Sequence, residues 1–200
     1  MAIANEKEQT LAQIYARYSA SGADGYGDKG TIHSYIDVYE SLLSPYRAAK
    51  RVLEIGILSG HSLLMWEEYF AQAKVTGVDV SDRPLGGKFD LRPLMDSGLH
   101  DIRIMDASDP AQALSEFGGD KFDVVVEDAS HMFFHQMFMY GIFRHLMAPN
   151  GIYIIEDVAE IDILRPAFER IDPCKKVDIV DLRHVKGRFD DVLVIVRPKL

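Results

Sequence analysis

Phe122-Asp-Val-Val-Val-Glu-Asp-Ala-Ser-His131 changes character halfway along. Its first half is an apolar run of the kind that forms a parallel strand buried on both faces. Its second half delivers Glu127, Asp128, Ser130 and His131. In an open α/β sheet, ligands bind at the carboxyl ends of the strands. Two carboxylates and an imidazole at such an end therefore point to chemistry, and the rest of the chain is to be read for a sheet around them.

Upstream, Arg51-Val-Leu-Glu-Ile-Gly-Ile-Leu-Ser-Gly60 reads as a strand and a tight glycine loop, with a helix beginning near Ser62. Gly56 and Gly60 allow close backbone approach to a ligand. The spacing is Glu-x-Gly-x-x-x-Gly, neither the dinucleotide fingerprint nor a phosphate-binding P-loop. Glu54 suits an amine-bearing or cationic ligand better than a pyrophosphate. Lys74–Val80 is a second strand, ending in Asp79 at roughly the 20-residue distance from the loop expected of a ribose-binding acid. Ile102–Met105 is a third, running into Asp106, Ala107, Ser108 and Asp109. Asp106 is placed to meet an adenine amino group or to cap the next helix, and Ser108 or Asp109 can share the capping role.

Downstream, Phe134–Leu146 reads as a helix whose Phe, Met and Tyr stripe belongs to the core. Pro149-Asn150-Gly151 reads as a turn into a fifth strand, Ile152-Tyr-Ile-Ile-Glu-Asp157. A helix over Ala159–Arg170, interrupted near Pro166, precedes two β-like runs, Val177–Leu182 and Val192–Val196. The runs are joined by a polar link turning at Gly187, so they pair antiparallel. The expected fold is α/β: a doubly wound, Rossmann-like seven-stranded sheet, mostly parallel, with an antiparallel C-terminal hairpin.

Residues 1–45 are expected to form an N-terminal helical lid or extension on a main body at 46–200. A helix over residues 5–20 is followed by a mobile glycine-rich loop, Ser21–Gly30, and Thr31 is placed to cap a helix carrying Tyr35, Val38, Tyr39, Leu42 and Leu43. The Ser81–Gly98 connection leaves room for one short helix at Phe89–Ser97. A net charge of −9 over 200 residues argues against nucleic acid. The single cysteine, Cys174, excludes an internal disulfide and reads as a partly buried spectator. Neither a signal pattern nor a membrane-length apolar run is present, so the expected setting is cytoplasmic.

Glu127-Asp128 and Glu156-Asp157 both end apolar strands that are neighbours in a doubly wound sheet. Crowded carboxylates raise one another's pKa unless a cation lies between them, and oxygen-rich clusters suit Mg²⁺ or a similar divalent ion. The other possibility is that these acids cap helices. His131, three residues after Asp128, is a candidate general base or a helix cap. His33 stands out for its place beside the lid. His135 is either a supporting group or packed, and Glu127 has no assigned role.

Glu54-x-Gly-x-x-x-Gly60 with Asp79 resembles the class I S-adenosylmethionine-dependent methyltransferases, with strand order 3-2-1-4-5-7-6. Asp28-Lys-Gly-Thr-x-His-x-Tyr35, Glu127-Asp-Ala-Ser-His131 and Gly151-Ile-Tyr-Ile-Ile-Glu-Asp157 are similar to the metal-dependent macrolide sugar O-methyltransferases of the mycinamicin and macrocin group. The resemblance makes 46–200 the S-adenosylmethionine-binding methyltransferase domain. It implies Mg²⁺ held by Asp128, Glu156 and Asp157, with His131 as base. It implies S-adenosylmethionine contacting Thr31, Glu54, Gly56, Gly60, Ser62, Asp79, Asp106, Ala107, Ser108 and Asp128. Thr31, His33 and Tyr35 would lie in a segment that closes over the cofactor. The implied acceptor is a sugar or glycoside hydroxyl, and a homo-oligomer is expected at family level. Catechol-type O-methyltransferases, a nicotinamide-dependent oxidoreductase and a non-catalytic nucleoside-binding subunit are the alternatives.

Overall fold

Seven strands form one sheet in the order β3-β2-β1-β4-β5-β7-β6, in a computed structural model that describes residues 9–19 and 27–199. In chain order the elements are α1 (Leu11–Ser19), α2 (Asp28–Thr31), α3 (Ile36–Leu43), β1 (Arg51–Ile55), α4 (His61–Tyr69) and β2 (Lys74–Asp79). They continue with α5 (Pro84–Gly87), α6 (Arg92–Asp96), β3 (Asp101–Ile104), α7 (Pro110–Phe117), β4 (Phe122–Glu127) and α8 (Phe133–Phe143). The chain closes with β5 (Met147–Ile155), α9 (Ile161–Phe168), β6 (Lys176–Asp181), α10 (Arg183–Lys186) and β7 (Val192–Arg197). The strands β1 to β5 pair in parallel, and β7 runs antiparallel to both β5 and β6. The expected fold is the observed one.

Side chains alternate between two cores, one on each face of the sheet. Leu53, Ile55, Val125, Tyr153 and Ile155 pack with Phe117, Phe143 and Phe168. Val52, Val124, Val126, Ile152 and Ile154 pack on the other face with Trp66, Tyr39, Tyr35, Leu11 and Ile14. The described part of the first 45 residues thus covers one face of the sheet and shares its core.

Several local expectations need correcting. Thr31 does not cap α3. It ends α2, its hydroxyl donates to the Gly27 carbonyl at 3.2 Å, and Tyr35 stands at the N-cap position of α3. The single turn at Asp28–Thr31 displaces the start of α3 by four residues. Pro149-Asn150-Gly151 is not a turn ahead of β5 but a bulge within it. The register moves from Phe122 opposite Met147 to Val124 opposite Ile152, which accommodates a proline that has no amide to donate. The short helix expected near Phe89–Ser97 is present as α6, and a further single turn, α5, precedes it. Cys174 is exposed rather than partly buried. Of the glycine-rich loop, residues 21–26 lie outside the described residues, as do residues 5–8 and 20 of the helix expected over 5–20.

One glycine fixes how the sheet's carboxyl rim is assembled. Gly56 has φ +88°, and a Cβ there would lie 2.1 Å from the Asp128 carbonyl oxygen. Backbone cannot yield as a flexible side chain can. Gly56→Ala is therefore expected to lower stability by more than about 2 kcal/mol, from left-handed strain plus displacement of the β4 end. An unchanged thermal midpoint would show that the loop is not seated against Asp128.

Candidate functional site

The carboxyl ends of β1, β4 and β5 bring Glu54, Asp128, Glu156, Asp157 and His131 to one rim. Glu127 is also at this rim but points the other way. It pairs in register with Ile55 and Ile155, so it faces the core on the Phe143 side. There it is fully buried, with Oε1 accepting from the Ala129 amide at 3.3 Å and Oε2 unpartnered. Burial pushes its pKa up to about 8. The alternation that separates Glu127 from Asp128 is the one expected of neighbouring strand residues.

At the centre of the acids lies a residue to which the sequence reading assigned no role. Lys29 is buried, and its Nζ donates to Glu156 Oε1 at 2.6 Å and Asp128 Oδ2 at 2.8 Å, with Glu54 Oε1 3.4 Å away. Burial on its own would lower the lysine pKa, but Asp128, Glu156 and Glu54 outweigh it and hold it well above its ordinary value. At Glu156 burial dominates and raises the pKa despite the ammonium. At Asp128 burial acts upward, but Lys29 and His131 hold the group below its usual range.

Each acid has further partners. Glu156 Oε1 also accepts from the Tyr39 hydroxyl at 2.5 Å. Glu54 accepts from Ser62 at 2.9 Å and from the Trp66 indole at 3.1 Å, and burial raises its pKa. Asp157 Oδ1 accepts from the Tyr35 hydroxyl at 2.7 Å.

His131 stands on the solvent side of this cluster. Its Nε2 lies 3.1 Å from Asp128 Oδ1 and its Nδ1 3.6 Å from Asp157 Oδ2. Among the described residues, ligand atoms of Asp128, His131 and Asp157 lie within 4.8 Å of one another. Glu156 is not in this trio because its carboxylate is turned to Lys29 and Tyr39. His131 (φ 55°) and Asp157 (φ 53°) both hold left-handed backbone. That is uncommon for non-glycine residues and costs on the order of 1–3 kcal/mol at each, the kind of strain that collects at functional sites. Burial and Asp128 push Asp157 up to about 6.

The hydrogen bond to Asp128, with the charges of Asp128 and Asp157, raises His131 to about 9. In this arrangement the imidazolium acts as the cation between two carboxylates. Because the folded pKa is the higher one, the stabilisation is fully present below about pH 6.5 and is lost as pH rises toward 9. In chelator-treated protein the His131 ring is expected to titrate near pH 9 by NMR, and near its ordinary value in Asp128→Asn. The same midpoint in both proteins would remove Asp128 as the cause.

The expected nucleoside-binding residues occupy the neighbouring strand ends. Asp79 Oδ2 accepts from the Ile57 and Leu58 amides at 3.2 and 3.1 Å, holding the glycine loop, and its Oδ1 accepts from the Ser81 amide. Gly60 is left-handed at the start of α4 (φ +79°). Asp106 does not cap α7. It accepts from the Ser108 amide and hydroxyl at 2.8 and 2.6 Å, while Asp109 caps α7 through the Ala111 and Gln112 amides. Asp106 is exposed and Ala107 buried beside it. Thr31 is exposed; its hydroxyl donates to the Gly27 carbonyl and its own carbonyl accepts from Lys186 Nζ at 3.3 Å. His135 Nδ1 lies 2.8 Å from Ser130 Oγ.

No family model matches the chain. Over 141 residues it is 32% identical to the 8-demethyl-8-alpha-L-rhamnosyl tetracenomycin-C 2'-O-methyltransferase of Streptomyces olivaceus, a match covering 66% of this chain and 35% of that protein. Over 178 residues it is 29% identical to the demethylmacrocin O-methyltransferase of Streptomyces fradiae, covering 82% of this chain and 41% of the relative. The chain is a sequence relative of sugar O-methyltransferases. The resemblance drawn from its motifs holds, although the chain spans only about a third to two-fifths of these curated relatives. Among solved structures, a complex of the MycE methyltransferase of the mycinamycin pathway with Mg, SAH and mycinamycin VI superposes with a TM-score of 0.68 at 20% identity, covering 96% of this chain and 55% of MycE. An SAH-bound O-methyltransferase from Bacillus cereus gives a TM-score of 0.62 at 16% identity and covers 98% of this chain and 93% of its own. These structures share the Rossmann-like methyltransferase fold. Among the described residues no helix is long and apolar enough to cross a membrane.

Proposed function

We propose that the chain is an S-adenosylmethionine-dependent O-methyltransferase acting on a hydroxyl of a sugar or glycosylated small molecule, with a divalent cation at the acid rim and His131 as general base. The observation that carries this reading is the Asp128–His131–Asp157 trio, set against the Gly56 loop and offering an imidazole to solvent from a buried acid floor.

The donor set fits both groups. Asp128 and Asp157 are paired with an imidazolium rather than a fixed cation on their outer side, as expected where a hard divalent ion such as Mg²⁺ exchanges with a proton. Asp128 and Asp157 would hold the ion, with Glu156 as a third acid if it turns from Lys29. A bound dication stabilises negative charge on an acceptor oxygen, and S-adenosylmethionine supplies the electrophilic methyl group. Gly56, Gly60, Glu54 and Ser62 would lie along the amino-acid end of the cofactor, Asp79 at the ribose, and Asp106 to Ser108 at the adenine. Thr31 would belong to the segment above it.

As described, His131 keeps its proton at neutral pH and is no base. A cation that neutralised Asp128 and Asp157 would weaken the electrostatic part of that rise and bring the ring's titration back down. The neutral ring can then accept the proton of an acceptor hydroxyl. Asp128 orients it through the contact already formed at Nε2.

Calorimetric titration with S-adenosylhomocysteine and NAD⁺ tests the reading, followed by transfer of a labelled methyl group to a panel of deoxysugar and rhamnosyl acceptors. Binding of S-adenosylhomocysteine but not NAD⁺, and label in the acceptor only with divalent metal present, is the expected result. Failure to bind S-adenosylhomocysteine would sink it.

A further inference from the structure

His33 is a buried histidine to which the proposed reaction gives no step. It is 2% exposed, and its Nδ1 is buried with no hydrogen-bond partner. The same ring stacks on Tyr35 at 4.9 Å between centroids, which fixes its direction. That direction is toward acid: Asp157 Oδ1 lies 3.3 Å from Nδ1 and Asp191 Oδ1 3.7 Å. Asp191 is fully buried, and its Oδ2 is likewise unpartnered. A buried ring nitrogen without a hydrogen-bond partner, lodged between two buried carboxylates, is costly unless something joins them.

We propose that Asp28, His33 and Asp157 form a second divalent-cation site, on the side of Asp157 away from His131. Ligand atoms of these three residues lie within 4.8 Å of one another, close to the span that one ion with bonds of about 2.1–2.4 Å can bridge after small side-chain shifts. Asp157 divides its carboxylate, with Oδ1 toward His33 and Oδ2 toward His131. One carboxylate serving two ions in this way is the usual bridge of paired metal sites, whose ions sit about 3.5–4 Å apart. One imidazole with two carboxylates favours a borderline ion such as Mn²⁺ or Zn²⁺ over Mg²⁺, which prefers all-oxygen shells. Arg188, paired with Asp190 at 2.8 Å, is also electrostatically attracted to Asp28 and Asp157. It is the competitor a metal must outdo. A bound ion would fasten α2 and the residues after it to the end of β5, beside the proposed reaction rim but through different ligands.

The proposal goes beyond the methyltransferase reading and shares only Asp157 with it. The test is Mn²⁺ titration of the chelator-stripped full chain, with bound ion counted by EPR. Wild type is expected to bind two ions per chain. The variant Asp128→Asn/His131→Ala should keep one, and its pulsed EPR should show a nitrogen coupling. Adding His33→Gln should abolish that coupling and weaken the remaining ion by roughly tenfold or more. Asp28→Asn, at a half-buried position, should weaken the same ion without threatening the core. If the Asp128→Asn/His131→Ala variant binds no ion, or binds one indifferent to both His33→Gln and Asp28→Asn, the second site does not exist and the first reading is untouched. If the wild type binds a single ion that survives in Asp128→Asn/His131→Ala and is lost with His33→Gln, the second site stands and the metal assignment at Asp128 fails.

Discussion

Lys29→Met should lower the melting temperature by on the order of 10 °C in metal-free buffer. The substitution keeps most of the apolar stem and removes the ammonium from between Glu54, Asp128 and Glu156, all within 3.4 Å of it. Breaking a buried ion pair from one side costs about 3–5 kcal/mol, because the remaining charge is left without a partner. For a chain of this size each kcal/mol moves the midpoint by roughly 2–4 °C. Part of the loss should return in Lys29→Met/Glu156→Gln, since the doubly changed protein has one fewer buried acid and the amide that replaces the Glu156 carboxylate can still accept from Tyr39. Recovery in the double variant separates charge imbalance from a simple packing defect. A Lys29→Met protein melting within about 2 °C of wild type would show that the three acids are held neutral without the lysine.

Lys29 also marks where reading the sequence stops. The acids themselves were legible: apolar runs broken by Glu54, Asp79, Asp128 and Glu156-Asp157 place carboxylates at strand ends of a doubly wound sheet, and the strand order came with the family resemblance those residues carry. The opposed directions of Glu127 and Asp128 follow from strand alternation alone. The need for a cation among these carboxylates was legible too, but the sequence reading gave that role entirely to a metal. Lys29 sits at the end of a glycine-rich stretch where lysine is ordinarily solvated, and nothing local signals burial. What places it is α2, one turn whose position depends on contacts such as Tyr15 hydroxyl to Gly27 carbonyl at 2.7 Å. The same turn is why Thr31 fails as a cap, and it leaves His33 and Tyr35 facing Asp157. Of the three acids expected to share one ion, Asp128 and Asp157 face the rim, whereas Glu156 is directed by Lys29 and Tyr39. Only the fold distinguishes them.

His131→Ala should cut turnover by about 10²- to 10⁴-fold while leaving S-adenosylhomocysteine affinity within about twofold of wild type. The residue lies at the exposed rim, with a side chain 41% accessible, and carries no core packing, so the protein should still fold, losing only the low-pH stabilisation that the imidazolium supplies. A mimic of the charge without the imidazole, His131→Lys, should bind cofactor equally well and remain inactive. An ammonium can replace the imidazolium against Asp128 and Asp157, but it has no neutral form suited to accept a proton near pH 7 in that acidic setting. The pH profile gives the sharper discrimination. With divalent metal present, wild-type turnover should rise with a single ionisation well below 9, as His131 loses the field of its two acids. In the His131→Ala protein the residual rate should lack that ionisation. A profile that survives unchanged in His131→Ala would assign proton removal elsewhere and leave His131 as no more than the charge that balances Asp128 and Asp157 when no metal is bound.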